Sequence, residues 1–180
     1  MRKRVIIQFA VIAAVILTAC GTVLAQEVTY NSAPGTDFSK FKTYKWVKIE
    51  GADTPDQILD QQIKRSIDSQ LAAKGFTKSD NDTADLYVGY QVSITQERQW
   101  NAYGMGGGWR MGGGMGTATS TTIQIGTLGF DVYDQAGKQL VWRGSATKTL
   151  NPPKDPEKRQ KNLDKAVAKL LKNFPPTAKK

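Results

Sequence analysis

From Leu86 to Ile94 the chain alternates. Leu86, Val88, Tyr90, Val92 and Ile94 share one parity, and Tyr87, Gly89, Gln91 and Ser93 share the other. A strand of period two buries one face and leaves the other wet, so this segment demands a sheet with a covering layer. Two segments of helical period supply that layer. Leu59, Ile63, Ile67 and Leu71 follow at i, i+4 spacing after Thr54-Pro55-Asp56-Gln57. There Thr54 reads as N-cap, Pro55 as the first helical residue and Gln57 as the return partner of a capping box. Lys74-Gly75 supplies the stop. A second start, Asp155-Pro156, precedes Leu163, Ala166, Val167, Leu170, Leu171 and Phe174, and Pro175-Pro176 ends the run.

Further strands are expected at Val28–Tyr30, Thr43–Ile49, Asp85–Glu97, Thr121–Asp134 and Leu140–Leu150. In Thr121–Asp134 the apolar parity switches from Ile123 and Ile125 to Leu128, Phe130 and Val132, which predicts a β-bulge at Gly126. The order predicts an α+β fold, an antiparallel β-sheet with two amphipathic helices packed on one face, with residues 26–180 as one domain. Residues 101–116 carry eight glycines together with Tyr103, Met105, Trp109, Met111 and Met115. Glycine at that density resists a fixed conformation, so this Gly/Met-rich stretch reads as a loop joining two long strands.

Residues 1–25 read as a signal peptide. Arg2-Lys3-Arg4 is a positive start, Val5 to Leu17 is apolar except for Gln8, and small residues follow. Two processing readings stand. Leu17-Thr18-Ala19-Cys20 has the pattern of a lipobox, which would make Cys20 a lipid attachment site. Val23-Leu24-Ala25 has the pattern of cleavage after Ala25. Gly21, rather than an aspartate, follows the cysteine, which points to the outer membrane; cleavage after Ala25 would give a soluble periplasmic or secreted protein.

Cys20 is the only cysteine, so the folded part must hold by burial without a disulfide. The formal charge is +9, and residues 151–180 carry nine Lys/Arg against three Asp/Glu, while residues 26–150 are balanced. Lys158, Arg159, Lys161, Lys165, Lys169 and Lys172 put this excess on the polar side of the last helix. They read as a solvated face or as an attraction to anionic envelope surfaces. Nucleic acid is not expected as the partner of an exported chain.

The chain has no histidine. That removes His-dependent nucleophile sites and His-ligated metal sites, and no cofactor is implied. Asp80-Asn81-Asp82-Thr83-Ala84-Asp85 fails as a calcium loop, because Asp85 and Gln91 stand where glycine and glutamate are needed. Met105, Met111 and Met115 are weak candidates for Cu(I), a soft ion suited to thioethers. Tyr44, Trp46, Tyr87, Tyr90, Phe130, Trp142 and Phe174 fall in strands or a helix stripe and read as core.

Tyr30-Asn31, Asp37-Phe38-Ser39-Lys40-Phe41-Lys42-Thr43-Tyr44-Lys45-Trp46, Ala84-Asp85-Leu86-Tyr87-Val88-Gly89-Tyr90, Leu140-Val141-Trp142-Arg143-Gly144 and the closing Phe174-Pro175 follow one another along the chain. Taken in this order, these motifs resemble a bacterial envelope family, domain of unknown function 4136. The resemblance implies a lipoprotein and so favours lipidation at Cys20; it carries no catalytic residues. The expectation is a non-enzymatic exported envelope protein that binds or scaffolds at the membrane. Two alternatives stay open. One is a periplasmic carrier of a small ligand or metal that uses the Gly/Met-rich loop or a pocket between sheet and helices. The other is an enzyme of unrecognised type.

Overall fold

The computed structural model describes residues 26–53, 55–103 and 117–176. Six strands form one mixed sheet: β1 (Glu27–Ser32), β2 (Thr43–Trp46), β3 (Thr77–Lys78), β4 (Leu86–Tyr103), β5 (Thr117–Asp134) and β6 (Gln139–Thr149). Their order across the sheet is β1-β6-β5-β4-β2-β3. Two helices, α1 (Gln57–Ala73) and α2 (Pro156–Leu170), complete an α+β fold.

The sheet is not antiparallel throughout, as expected from the sequence. β2 runs parallel to both β4 and β3. The reason is the connection: α1 lies between β2 and β3, and a helical crossover returns the chain in its original direction, whereas tight turns reverse it. The hairpins β4–β5–β6 and the pair β1–β6 are antiparallel.

Even-numbered residues from Leu86 to Val92 in β4 and from Leu128 to Val132 in β5 face the helices. Leu86, Val88, Phe130 and Val132 are buried there with Trp142 and Ala146 of β6. Ile63, Ile67 and Leu71 of α1 and Val167 and Leu170 of α2 close over them. Phe174 seals one end of this core. Its ring lies 5.1 Å from that of Trp142, 5.4 Å from Phe76 and 5.9 Å from Phe38, centroid to centroid.

Three local expectations are corrected. α1 begins after Asp56, not Thr54, because the Asp56 carboxylate accepts the N–H groups of Ile58 and Leu59, each at 3.0 Å. Pro55 then precedes the cap. No register shift occurs at Gly126: β4 and β5 pair without interruption past Ile94↔Gly126. The parity switch has another cause, because Gly126 leaves room on the helix side for Leu150, whose Cδ2 would sit 2.7 Å from a Cβ placed there. The irregularity lies instead between Val132↔Trp142 and Tyr133↔Leu140, where Val141 is the extra residue in β6. Finally, the central strands are longer than expected. Asn101–Tyr103 belong to β4, and the remainder of the Gly/Met-rich stretch lies outside the described residues.

That extra length makes an arm. β4 loses its partner β2 after Trp46↔Val88, and β5 loses β6 after Ile125↔Thr149. From Glu97↔Ile123 to Tyr103↔Thr117 the two strands pair only with each other among the described residues. At about 3.3 Å per residue this ribbon extends roughly 20 Å beyond the sheet.

Candidate functional site

The signature motifs turn out to carry architecture. Tyr44 and Trp46 of β2 both donate to Asp68 Oδ1 on α1, each at 2.8 Å, and Lys78 Nζ reaches Oδ2 at 3.1 Å. One turn pair earlier on α1, Asp60 takes the Tyr90 hydroxyl at 2.5 Å and the Lys64 ammonium at 3.0 Å. Two carboxylates eight residues apart thus stitch α1 to the aromatic side chains of the sheet. Burial, and then the bond to Asp68, raises the Tyr44 hydroxyl above its ordinary pKa; burial and Asp60 do the same to Tyr90. Burial opposes ionisation of Asp60, but the bonds from Tyr90 and Lys64 prevail and its pKa is lowered.

Asp85, the last residue of the stretch that fails as a calcium loop, caps the start of β2. Its Oδ2 accepts the backbone N–H groups of Lys42 and Thr43, each at 2.8 Å, and those bonds lower its pKa. Asp82 pairs with Lys45 at 2.5 Å. In Leu140-Val141-Trp142-Arg143-Gly144, Val141 and Trp142 are core. Arg143 grips Asp131 in a two-pronged pair, Nε to Oδ1 and Nη2 to Oδ2 at 2.6 Å each. Asp131 is 0% exposed although it lies on the sheet face away from the helices. Gly144 gives space to Leu170, whose Cδ1 would stand 2.9 Å from an added Cβ. Sequence reasoning missed Asp68 and the Asp131–Arg143 pair, since neither partner is near the other in the chain. Among the described residues no group of three or more His, Cys, Asp or Glu is placed to hold a metal ion.

At the arm end of the sheet a groove of about 430 Å³ opens between the sheet and both helices. Its walls are mainly apolar: Leu59 from α1, Val92 and Ile94 from β4, Leu150 after β6, and Leu163 from α2. Ile94 is 62% exposed. Gln26, where the described chain begins, lies at its mouth, and Lys148 and Arg159 stand on its rim. A second cleft of about 660 Å³ lies near the opposite end, between the Phe38–Lys40 turn, Gly75 and Pro175-Pro176. Loop residues form it, with Lys42 and Lys74 at its edge.

Of the residues singled out by sequence, Cys20, Met105, Met111 and Met115 lie outside the described residues. The six C-terminal cations are all exposed but do not form one set: Lys172, expected on the last helix, lies in the turn beyond α2, which ends at Leu170. At 100° per residue Lys158, Lys161, Lys165 and Lys169 share one stripe of α2, and Arg159 falls to the side. There its guanidinium donates to the carbonyls of Pro153 and Lys154 at 3.2 and 2.8 Å. Among the aromatic side chains, Tyr44, Phe130, Trp142 and Phe174 are buried as expected. No described helix is long and apolar enough to cross a membrane.

The fold has solved counterparts. A PDZ domain protein from Parabacteroides distasonis superposes with a TM-score of 0.57 at 16% identity, over 84% of this chain and 36% of that one. This chain therefore spans little more than a third of that protein. The PelC dodecamer from Paraburkholderia phytofirmans gives 0.49 at 16% identity, over 82% of this chain and 95% of that one. At 16% identity the likeness to the PDZ domain protein concerns the fold alone. No curated protein matches the sequence. The family described as domain of unknown function DUF4136 matches residues 26–176, and the chain belongs to that family.

Proposed function

We propose that this chain is a non-enzymatic binding or scaffolding protein of the cell envelope, exported by residues 1–25 and held at a membrane through lipid on Cys20. Its contact element is the β4–β5 arm. The observation that supports this reading most is the ribbon itself. Between Glu97↔Ile123 and Tyr103↔Thr117 neither strand has a second neighbour among the described residues. A lone two-stranded ribbon is marginal in water, and its outer edges offer unpaired N–H and C=O groups to an added strand. The carboxylates that could serve chemistry, Asp60, Asp68, Asp85 and Asp131, are already engaged in hydrogen bonds that hold the fold. The lysine stripe of α2 adds a surface suited to anionic head groups.

The test is in-cell crosslinking and recovery of the full chain, beside a variant in which residues 97–123 are replaced by a short turn. Partners recovered with the full chain and lost with a cooperatively melting variant support the reading. Equal recovery from both contradicts it. A second reading, carriage of a small apolar ligand, draws on the groove beside Gln26. Native mass spectrometry of the full chain showing a retained small molecule would favour it.

A further inference from the structure

The groove at the arm end of the sheet joins an apolar floor to a cationic rim. Val92, Leu128 and Ala146 pair across β4, β5 and β6 as one row of the helix-facing side, and Ile94, Gly126 and Lys148 form the next row toward the arm. Leu150 fills the place that a side chain at Gly126 would take. Leu59 and Leu163 line the groove from the two helices, and no aspartate or glutamate is among its lining residues. Lys148 and Arg159, on its rim, are both exposed. Neither lies within salt-bridge distance of a carboxylate among the described residues. Arg159 is nevertheless oriented. Its bonds to the carbonyls of Pro153 and Lys154 both use Nη1. Nε and Nη2 take no part in them, and those are the atoms with which Arg143 grips Asp131 in this same chain. That edge of a guanidinium matches a carboxylate as a two-pronged partner.

We propose that this groove binds a free single-chain fatty acid, its acyl chain on the apolar floor and its carboxylate on Arg159 and Lys148. The inference rests on the second reading above, carriage of a small apolar ligand, and names the class of that ligand. Volume sets the size. A water-sized group takes about 30 Å³, so a groove of about 430 Å³ holds roughly a dozen chain carbons, one acyl chain rather than the two of a phospholipid. Charge sets the head group. Apolar walls accept any hydrocarbon, whereas a few placed polar groups fix orientation and choose the ligand. Here those groups are two cations with no acid beside them, one of them a guanidinium already held by backbone carbonyls. The proposal also accounts for an apolar surface left open in water, with Ile94 62% exposed.

The experiment labels the full chain with a photo-reactive dodecanoic acid and maps the adducts by mass spectrometry. Unlabelled dodecanoate and dodecan-1-ol then compete at matched concentrations. The expected result is adducts on groove residues such as Leu59, Val92 and Leu163, with dodecanoate competing about tenfold better than the alcohol, the worth of one charge-assisted hydrogen bond. In Lys148→Gln/Arg159→Gln that preference should vanish. Equal competition by acid and alcohol in the wild type overturns this proposal and leaves the carrier reading standing. No groove adduct, the outcome for a groove filled by polypeptide, overturns both. Should the double variant not melt cooperatively, Lys148→Gln alone supplies the comparison, since Lys148 makes no salt bridge among the described residues. Its preference for the acid should fall several-fold at unchanged Tm. An unchanged preference would contradict a carboxylate held at this rim.

Discussion

The indole N–H of Trp46 on β2 donates to the carboxylate of Asp68 on α1 at 2.8 Å. The same oxygen takes the Tyr44 hydroxyl, and Lys78 holds the other. Removing this acceptor strands donors that are buried or half-buried. A buried polar group without a partner costs about 1–3 kcal/mol. Asp68→Ala should therefore destabilise the chain by about 3 kcal/mol, and in a domain of this size each kcal/mol lowers Tm by roughly 2–4 °C. Asp68→Asn, which keeps an acceptor, should lose less. Equal Tm values for wild type and Asp68→Ala would show that α1 is not docked through this residue.

Arg143 is the sole cation within salt-bridge distance of the fully buried Asp131 among the described residues. Breaking a buried pair from one side leaves an uncompensated charge. Arg143→Ala should cost about 3 kcal/mol, at the low end of such losses because the guanidinium is half-exposed. The loss should shrink in the double variant Asp131→Asn/Arg143→Ala. A double variant less stable than Arg143→Ala would contradict the pairing.

Leu170 is 1% exposed and packs over Gly144 and against Trp142. Leu170→Ala should cost about 2–5 kcal/mol, read as a lower urea midpoint at unchanged slope. An unaltered midpoint would mean that α2 is not packed on the sheet.

Stability should fall at both ends of the pH scale. Asp85 and Asp60 titrate lower in the folded chain than their ordinary value of 3.8. Their contribution is full above that value and is lost as pH drops through the lower folded values. Tyr44 and Tyr90 titrate higher than 10.0, so their contribution is full below pH 10 and is lost as pH rises through the folded values. Urea midpoints should hold level between about pH 5 and 9 and decline on either side. Asp85→Asn should flatten the acid limb. A midpoint still rising below pH 4 would contradict the Asp85 cap.

Period and punctuation made much of the fold legible. The alternation Leu86 to Ile94, the stripe Ile63, Ile67 and Leu71, and the cap Asp155-Pro156 each recur in the structure, because each reports a local geometry. What escaped was non-local. Nothing in Thr43–Trp46 marks it as parallel to β4, since direction is set by the crossover through α1. The bulge at Val141 had a signal in the consecutive apolar Leu140-Val141-Trp142, which breaks alternation, but the more visible Gly126 drew the assignment. The groove was illegible because its walls come from α1, β4, the chain after β6 and α2, and only the tertiary arrangement gathers them. The arm was half-legible: its strands were found, and their length was cut short by a composition that reads as loop.

The claim that the arm is the contact element is tested most directly by position-specific crosslinking in the cell. A photo-reactive amino acid is placed at exposed Thr122 on the arm, and in a second chain at exposed Thr29 on β1, an edge strand of the sheet. The account predicts discrete adducts to another polypeptide from Thr122 and none from Thr29. No adduct from Thr122, or the same adducts from both positions, would contradict it.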